Sequence, residues 1–546
     1  TRQALRPYYN FADVDVDRYM IDGRLRQVVM SLREVDLEQD RVPQNIKDGW
    51  NNRHLVYTHG MGIVLGYANE FDGQGLPAMR IKNIPAVSDI PEIQPSQEGI
   101  YFGERATQHI YVNTGLAEFH YPRGEEDAET SYEGPAGVEL SSGLDKFAVA
   151  WKFDGWRTYT SNYLSQESRI VCRRTISERV KTLAPFLELD EDPYPVVTES
   201  GRVVYIQDAY TVSDHYPYSE PLRLGDRSFH PAYLDGNNYI RNSVKVTMDT
   251  YTGEVKFYVF DQDCVVLKVW QKAFPGLFTP KDQMPQDILE HVRYPEDMLK
   301  CQTEIYTTYH MGNTRKFISR EGVWEVATEM FNQGSLQFVE PYSAIVQLPG
   351  EEMEEYLMMV QCTPSGKLNL AAWLAGRSSG EHYGKLIVYR MPLQSEVAGP
   401  LMVENFIDSK DEWSQDISLW NDNGSALLRG NLLTLPVAEG LVYIEPIYLQ
   451  SDNEGAMPKL TRVVLGTGER LAWGVNLEDA KRALFSSSST VSPETGSIVI
   501  PEGKELGYAK QLLDEYFRLS GEGNPAEAGL KLQELQRYLS GASAAN

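Results

Sequence analysis

The stretch DVDVDRYMIDGRLRQVVMSLREV (residues 13–35) predicts the first antiparallel strand pair of this 546-residue chain. Its first half alternates polar and apolar residues, Asp22-Gly23 supplies the left-handed positions of a tight turn, and its second half returns as the partner strand. A second hairpin is predicted at residues 238–260, NYIRNSVKVTMDTYTGEVKFYVF, where two alternating segments flank the turn TYTGE. Both stretches indicate antiparallel β-sheet.

The rest of the chain carries strand and helix patterns in separate blocks. Residues 144–188 have helical spacing, residues 284–311 are predicted to be helical on both sides of Pro295, and residues 342–475 return to short strand patterns. The acidic, glycine-rich and aperiodic stretch 123–143 indicates a surface loop. This order predicts an α+β fold with mostly antiparallel β-sheets, interspersed helices and a C-terminal helical hairpin.

Composition and pattern together divide the chain into five segments. They are a β-rich N-terminal domain (1–143), an α+β middle domain (144–341), a β-rich domain (342–484), a low-complexity linker (485–503) and a C-terminal helical hairpin (504–546).

The charge balance bears on the choice of partners. The chain has 51 lysines and arginines against 77 aspartates and glutamates, a formal net charge of −26. Such a charge repels nucleic acid and anionic lipid headgroups at long range, so no nucleic-acid partner is expected.

The cysteine pattern bears on the redox environment of the protein. Hydropathy and the start of the chain bear on membrane insertion and processing. The cysteines at 172, 264, 301 and 362 form no C-x-x-C pair, which leaves buried free thiols or one long-range disulfide open. No run of eighteen apolar residues occurs, so no membrane-spanning helix is predicted. The chain begins at Thr1 without an initiator methionine or a signal peptide, and we expect a mature or excised portion of a longer protein.

Asp13, Asp15 and Asp17 form the first candidate site. Read as a calcium-binding EF-hand loop, the stretch has arginines at positions six and twelve, where glycine and glutamate are required. Alternation on a strand still points the three carboxylates to one side. Three interpretations stay open: carboxylates that face solvent or Arg24 and Arg26 across the hairpin, a calcium-type cation site, or a catalytic cluster.

Two further clusters contain residues that could bind a ligand. His54 and His59 lie five positions apart in WNNRHLVYTHGMGIVLG (50–66), where imidazoles suit acid–base or metal roles. If that segment is a strand, the two rings point to opposite faces, so we expect at least one to be structural. The second cluster is DAYTVSDHYPYS (208–219). Its tyrosines could stack on a carbohydrate and its acids could hydrogen-bond to the hydroxyl groups, or the segment is an ordinary aromatic loop. Its candidate ligand-binding residues are Asp208, Tyr210, Asp214 and His215.

No familiar catalytic signature accompanies these clusters. The sequence lacks a G-x-S-x-G elbow, an H-E-x-x-H motif, a Walker A loop and a G-x-G-x-x-G after a strand. No catalytic residue is therefore assigned.

Several long motifs together resemble the bacterial uncharacterised protein family 0182. They include DVDVDRYMIDGRLRQV, WNNRHLVYTHGMG, TLAPFLELDEDPYPVV, GRVVYIQDAYTVSDHYPYS, AAWLAGRSSGEHYGKLIVYRMP and LVYIEPIYLQ, in order along nearly the whole chain. The resemblance implies a large membrane protein with several N-terminal transmembrane helices, of which this chain is the extracytoplasmic region. It implies no known activity and no catalytic residues. A more local likeness relates VTMDTYTGEVKFYVFD (246–261) to PepSY-type envelope modules.

The leading functional hypothesis is an extracytoplasmic structural or binding module of a bacterial cell-envelope protein, either membrane-bound through segments outside this chain or secreted. Its expected partners are further copies of itself or other envelope proteins, and calcium is the one candidate cofactor. The alternative is an enzyme acting on envelope glycans or lipids through a carboxylate pair such as Asp208 and Asp214, or through the region of His54 and His59.

Overall fold

The computed structural model describes most of the chain in two compact units, Thr1–Phe485 and Ser486–Asn546. The described residues are 9–11, 13–38, 42–97, 99–123, 126–225, 228–392, 396–410, 425–437, 440–451 and 457–486, with single helical positions at Trp413, Ile417, Trp420, Leu512, Glu515, Arg518 and Lys531. The predicted linker (485–503) lies outside the described residues except for Phe485 and Ser486, which end the preceding helix. The predicted helical hairpin (504–546) lies outside them except for the four single positions from Leu512 to Lys531.

The described elements confirm an α+β fold. The strands are β1 (Tyr9–Phe11), β2 (Asp15–Ile21), β3 (Arg24–Val35), β4 (Gly60–Met61), β5 (Ile63–Phe71), β6 (Pro77–Lys82), β7 (Val87–Ser88), β8 (Gly99–Ile100), β9 (Ile110–Val112), β10 (Glu118–Arg123), β11 (Glu126–Thr130), β12 (Val138–Glu139), β13 (Arg169–Val171), β14 (Glu188–Leu189), β15 (Tyr194–Val197), β16 (Val203–Ser213), β17 (Tyr239–Asp249), β18 (Val255–Val259), β19 (Phe278–Pro280), β20 (Trp324–Val326), β21 (Thr328–Phe331), β22 (Ser335–Phe338), β23 (Tyr342–Gln347), β24 (Glu354–Pro364), β25 (Ala372–Arg377), β26 (Leu386–Arg390), β27 (Ser425–Arg429), β28 (Leu433–Val437), β29 (Gly440–Ser451), β30 (Lys459–Thr467) and β31 (Arg470–Gly474). The α-helices are α1 (Gln44–Lys47), α2 (Gly143–Lys152), α3 (Trp156–Thr160), α4 (Ile176–Leu183), α5 (Val265–Ala273), α6 (Gln286–Leu289), α7 (Glu296–Tyr309), α8 (Thr314–Ser319), α9 (Pro400–Asp408) and α10 (Leu477–Ser486), with a π-helical turn at Asn52–Val56. Among these strands, all pairings are antiparallel except that of β18 with β19.

The opening hairpin forms as its sequence predicts. Strands β2 and β3 pair across a turn in which Asp22 and Gly23 both adopt positive φ, +51° and +69°. Strand β3 also pairs with β1 and β5, and this places it at the centre of the first sheet. The second predicted hairpin is confirmed as β17 and β18 in the middle sheet.

One hydrophobic core joins the first sheet to the middle sheet. Val28 and Leu65 of the first sheet belong to the same buried cluster as Val246 and Phe257 of the middle sheet. Because burial of apolar surface is the main force that stabilises a fold, the two sheets support each other. This core contains residues from both sides of position 143.

Two stretches depart from the pattern read in the sequence. Residues 126–130, expected to lie in a loop, form β11, which pairs with β10 as a two-stranded ribbon. The side chains of β11 are exposed or half-buried and mostly polar, so this strand shows no apolar alternation. Within 144–188 the helical pattern is interrupted by β13, which pairs with β9 and β12.

The break predicted at Pro295 is confirmed, since this proline caps the N-terminus of α7. Two further antiparallel sheets follow, built from β20, β23–β26 and from β27–β31. All four cysteines are free, and three of them are buried. Within the described part of the chain, no helix is long and apolar enough to cross a bilayer.

Candidate metal centre

Two histidines and an aspartate from three separate elements converge in the N-terminal part of the fold. His54 lies in the π-helical turn, His109 immediately precedes β9, and Asp154 lies in the short link between α2 and α3. One potential ligand atom from each side chain lies within 4.8 Å of the other two. All three side chains are largely buried, with 10%, 16% and 11% of their surfaces exposed.

The backbone has an unusual conformation at two of the three elements. In the π-helical turn the amide of Tyr57 donates to the carbonyl of Asn52 at 2.9 Å, and such insertions are often found at functional sites. In the link after α2, Gly155 has φ of +61°, a conformation that glycine adopts without strain. Gly155 directly follows Asp154, whose carboxylate contacts both imidazoles.

Hydrogen bonding determines which nitrogen of His54 carries its proton. Nδ1 lies 2.8 Å from the carbonyl oxygen of His109, and a carbonyl can only accept, so Nδ1 is the donor. Burial lowers the pKa of His54, which keeps the ring neutral. Nε2 is therefore unprotonated, and its lone pair lies 3.8 Å from Oδ1 of Asp154.

The other carboxylate oxygen of Asp154 is held by two donors. His109 Nε2 lies 2.5 Å from Oδ2, and the hydroxyl of Tyr111 donates to the same oxygen at 3.0 Å. Burial alone would raise the pKa of Asp154, but the hydrogen bond and charge of His109 outweigh it, and the pKa lies below its ordinary value. Thr158 supports the arrangement by donating to Tyr111 at 2.8 Å.

These three side chains fit a divalent transition-metal ion. Zinc binds imidazole nitrogen and carboxylate oxygen at about 2.0–2.2 Å, so two ligands on a tetrahedral ion are about 3.4 Å apart. The separation of 3.8 Å between His54 Nε2 and Asp154 Oδ1 is close to that value. The contact between His109 and Asp154 is shorter than a ligand pair requires, so ion binding would replace their hydrogen bond and displace the proton of His109.

His59, the second predicted histidine, belongs to a different network. Its Nδ1 lies 2.9 Å from Oγ1 of Thr58, which donates its own proton to Glu118, and its Nε2 lies 3.0 Å from Nδ1 of His120. Tyr101 also donates to Glu118 and stacks on the ring of His59 at 4.5 Å. His59 is fully buried. Its partners, Thr58, His120 and Tyr101, are not members of the cluster of His54.

The cluster predicted at residues 208–219 is divided between the interior and the surface. Asp208 is buried in an ion pair with Lys245, and the hydroxyl of Tyr210 donates to Asp190 inside the sheet. Asp214 and His215 contact each other beyond the end of β16 and are exposed. A buried, paired carboxylate and an exposed one do not form the catalytic pair that the sequence suggested.

The opening aspartates are also divided. Asp15 pairs with Arg293 at 3.2 Å, and Asp17 pairs with His291 at 2.7 Å and with the neighbouring Arg18, whereas Asp13 is exposed. The alternative of pairing with Arg24 and Arg26 across the hairpin is wrong, because the register places Met30 opposite Asp15 and Val28 opposite Asp17. Side chains from a distant segment, Arg293 and His291, thus contact the carboxylates for which a calcium-type site was one of the open interpretations.

Two of the three cluster residues, His109 and Asp154, were not recognised in the sequence. His109 lies 55 positions after His54, and Asp154 lies 45 positions after His109. No local spacing rule covers such separations, because the three side chains meet only when the elements pack together. The one local signal was His54 itself.

Comparison with known proteins gives a consistent family assignment. The family model described as Uncharacterised protein family (UPF0182) matches residues 1–420. A UPF0182 protein of Desulforamulus reducens is 41% identical over 496 residues, which cover 90% of this chain and 52% of the relative. A UPF0182 protein of Trichodesmium erythraeum is 42% identical over 549 residues, which cover 98% of this chain and 59% of the relative.

The chain therefore spans about half to three fifths of the length of these relatives. No solved structure shows significant similarity to it. A family match over most of the chain and identities of about two fifths leave one assignment: the chain belongs to the uncharacterised protein family UPF0182.

Proposed function

We propose that this chain binds a divalent transition-metal ion, with zinc as the best fit, through His54, His109 and Asp154. The observation that supports the proposal is the unprotonated Nε2 of His54 facing a carboxylate oxygen of Asp154 at 3.8 Å. A lone pair and a carboxylate repel each other, and a cation between them converts the repulsion into two attractive contacts.

The donor set favours a particular class of ion. Two imidazoles and one carboxylate suit zinc and neighbouring transition metals, whereas calcium and magnesium prefer oxygen ligands alone. The hydrogen bond from His54 Nδ1 to a backbone carbonyl, and that from Tyr111 to Asp154, are the kind of supporting contacts that orient metal ligands.

We also propose that the metal-binding chain serves as an extracytoplasmic structural or binding module of a cell-envelope protein. The resemblance of its motifs implies this setting, and the relatives extend well beyond the length of this chain. In this setting the ion would link the π-helical turn, the residue before β9 and the connection after α2, and would thereby stabilise this part of the fold.

Zinc binding to the purified 546-residue chain, freed of metal with a chelator, tests the proposal. Isothermal titration and metal analysis should give one tightly bound zinc per chain for the native protein. Asp154→Asn and His109→Ala should each weaken binding by about tenfold or more. His215→Ala is the matched control, because His215 is exposed and lies outside the cluster. Equal affinity in the Asp154 variant and the control would contradict the proposal.

A second candidate function follows from the number of ligands. Three protein ligands leave a coordination position for water, the arrangement found in catalytic zinc sites. An enzyme acting on envelope glycans or lipids would then use this centre in place of Asp208 and Asp214. The test is hydrolysis of cell-wall fragments and phospholipids by the zinc-loaded protein, which Asp154→Asn should abolish and Asp214→Asn should leave unchanged.

A further inference from the structure

Helices α2 and α3 direct large apolar side chains into solvent. We call residues 143–160, which contain both helices and their link, the aromatic hairpin. Its exposed side chains are Leu144 (79%), Phe147 (52%), Trp151 (85%), Trp156 (71%) and Tyr159 (46%). The rings of Phe147 and Trp151 lie 6.3 Å apart, and those of Trp156 and Tyr159 stack at 5.2 Å. The aromatic hairpin thus presents two ring pairs on consecutive helices.

The opposite face of the aromatic hairpin anchors it to the fold. Val149 and Phe153 pack against the buried cluster around Leu55, while Ala150 and Thr158 are buried. The spacing of the apolar residues in α2 predicted an amphipathic helix, and such a stripe ordinarily faces the core. Here a different set of residues makes the core contact, so the exposed rings are not needed to attach the helices.

The charges on the aromatic hairpin differ in sign from those of the chain as a whole. Lys152 and Arg157 are exposed next to Trp151 and Trp156. The two acids are engaged elsewhere, since Asp145 accepts hydrogen bonds from Ser142 at the start of α2 and Asp154 faces the imidazoles. The aromatic hairpin thus has three basic residues, Lys146, Lys152 and Arg157, against two acids, although the whole chain carries a formal charge of −26. Screening limits the repulsion from distant acids to about 8–10 Å at physiological ionic strength.

We propose that the aromatic hairpin docks on a lipid bilayer that contains anionic headgroups. Tryptophan and tyrosine prefer the membrane–water interface, where the ring is apolar and its polar atom stays hydrated. Leu144 and Phe147 reach into the acyl boundary, and Lys152 and Arg157 contact headgroup phosphates. A protein partner fits less well, because the centres of protein interfaces are depleted of lysine, and Lys152 lies beside the most exposed ring of the aromatic hairpin. This inference does not rest on the proposed metal binding.

Vesicle flotation of the 546-residue chain tests the docking. We expect the native protein to float with phosphatidylcholine vesicles that contain phosphatidylglycerol, and its tryptophan fluorescence to be quenched by brominated acyl chains. The double variant Trp151→Ser/Trp156→Ser should lose about tenfold or more in vesicle affinity, because two rings no longer leave water. Lys152→Gln/Arg157→Gln should lose the preference for anionic vesicles.

The controls separate docking from loss of structure and from self-association. Tyr216→Ser/Tyr218→Ser removes two other exposed rings and should leave vesicle binding unchanged. All variants should keep the native melting temperature, because the replaced side chains face solvent. The proposal is overturned if native protein ignores both kinds of vesicle, or if the tryptophan variant binds like native. It is also overturned if sedimentation shows that these tryptophans join copies of the chain while no variant binds lipid.

Discussion

Replacing Lys245 by methionine should destabilise the protein strongly, because it leaves a buried carboxylate without its cation. The ammonium group of Lys245 is inaccessible to solvent, forms an ion pair with Asp208 and donates to the carbonyl of Arg293 at 3.2 Å. It also lies 5.3 Å from the centre of the ring of Tyr383. Methionine has nearly the same length, so packing is largely kept and the electrostatic loss dominates.

The expected magnitude follows from the burial of both partners. Removing one member of a buried ion pair costs about 3–5 kcal/mol, since the remaining charge stays away from water. Asn242 still donates to Asp208 at 2.8 Å, and this contact favours the lower half of that range. The free energy of unfolding is measured by urea denaturation followed by circular dichroism, with native protein and Lys245→Met under identical conditions.

Lys268→Met is the matched control. Lys268 lies 3.9 Å from Asp263 on the surface, with about half of the lysine side chain exposed, so its loss should change stability by less than about 0.5 kcal/mol. The double variant Lys245→Met/Asp208→Asn should recover part of the loss, because no unpaired charge remains in the interior. The reasoning is refuted if Lys245→Met loses no more stability than Lys268→Met.

Three further outcomes are expected. Tyr111→Phe should weaken zinc binding about tenfold, because Asp154 loses a supporting hydrogen bond. The ion pair with His291 holds the pKa of Asp17 below its ordinary value of 3.8 in spite of burial, so this group stabilises the fold above that pH. Acid titration of the unfolding free energy should show that contribution disappearing below about pH 4 in native protein, and Asp17→Asn should lack it. Native protein should offer Ellman's reagent one thiol, that of half-buried Cys172, and all four thiols in urea.

Each of these three predictions has its own control. Tyr216→Phe changes an exposed tyrosine outside the cluster and should leave zinc affinity unchanged. Asp22→Asn alters an exposed aspartate in the turn, and its acid titration should match that of native protein. Cys172→Ser should abolish thiol reactivity in native protein. Rapid reaction of a second thiol before urea is added would show that the interior opens more readily than its packing implies.

The hairpins could be predicted because their determinants are local. Alternation over several residues sets the faces of β2 and β3, and Asp22-Gly23 provides the turn. Strand β11 could not be predicted, because a strand of exposed and half-buried, mostly polar side chains shows no apolar alternation. The partners of Asp15 and Asp17 could not be predicted either. Arg293 and His291 lie more than 270 positions away in sequence.

The candidate metal centre shows the same limit. His54 was identified as a candidate because histidine is rare and chemically versatile, but the pattern gave no reason to join it to His109 or Asp154. The strand geometry considered for this segment does not apply to His54, because Asn52–Val56 forms a π-helical turn. The direction of the apolar stripe in α2 likewise depends on which face the remainder of the fold covers.

Asp154 lies between two helices that present aromatic rings to solvent while its carboxylate faces two imidazoles. If a docking surface rotates the aromatic hairpin, it also moves this carboxylate relative to His54 and His109. Thermodynamic linkage then requires reciprocity: if docking tightens metal affinity by some factor, the metal tightens docking by the same factor. The three-residue link from Phe153 to Gly155 would thereby act as a coupling element between an ion and a surface.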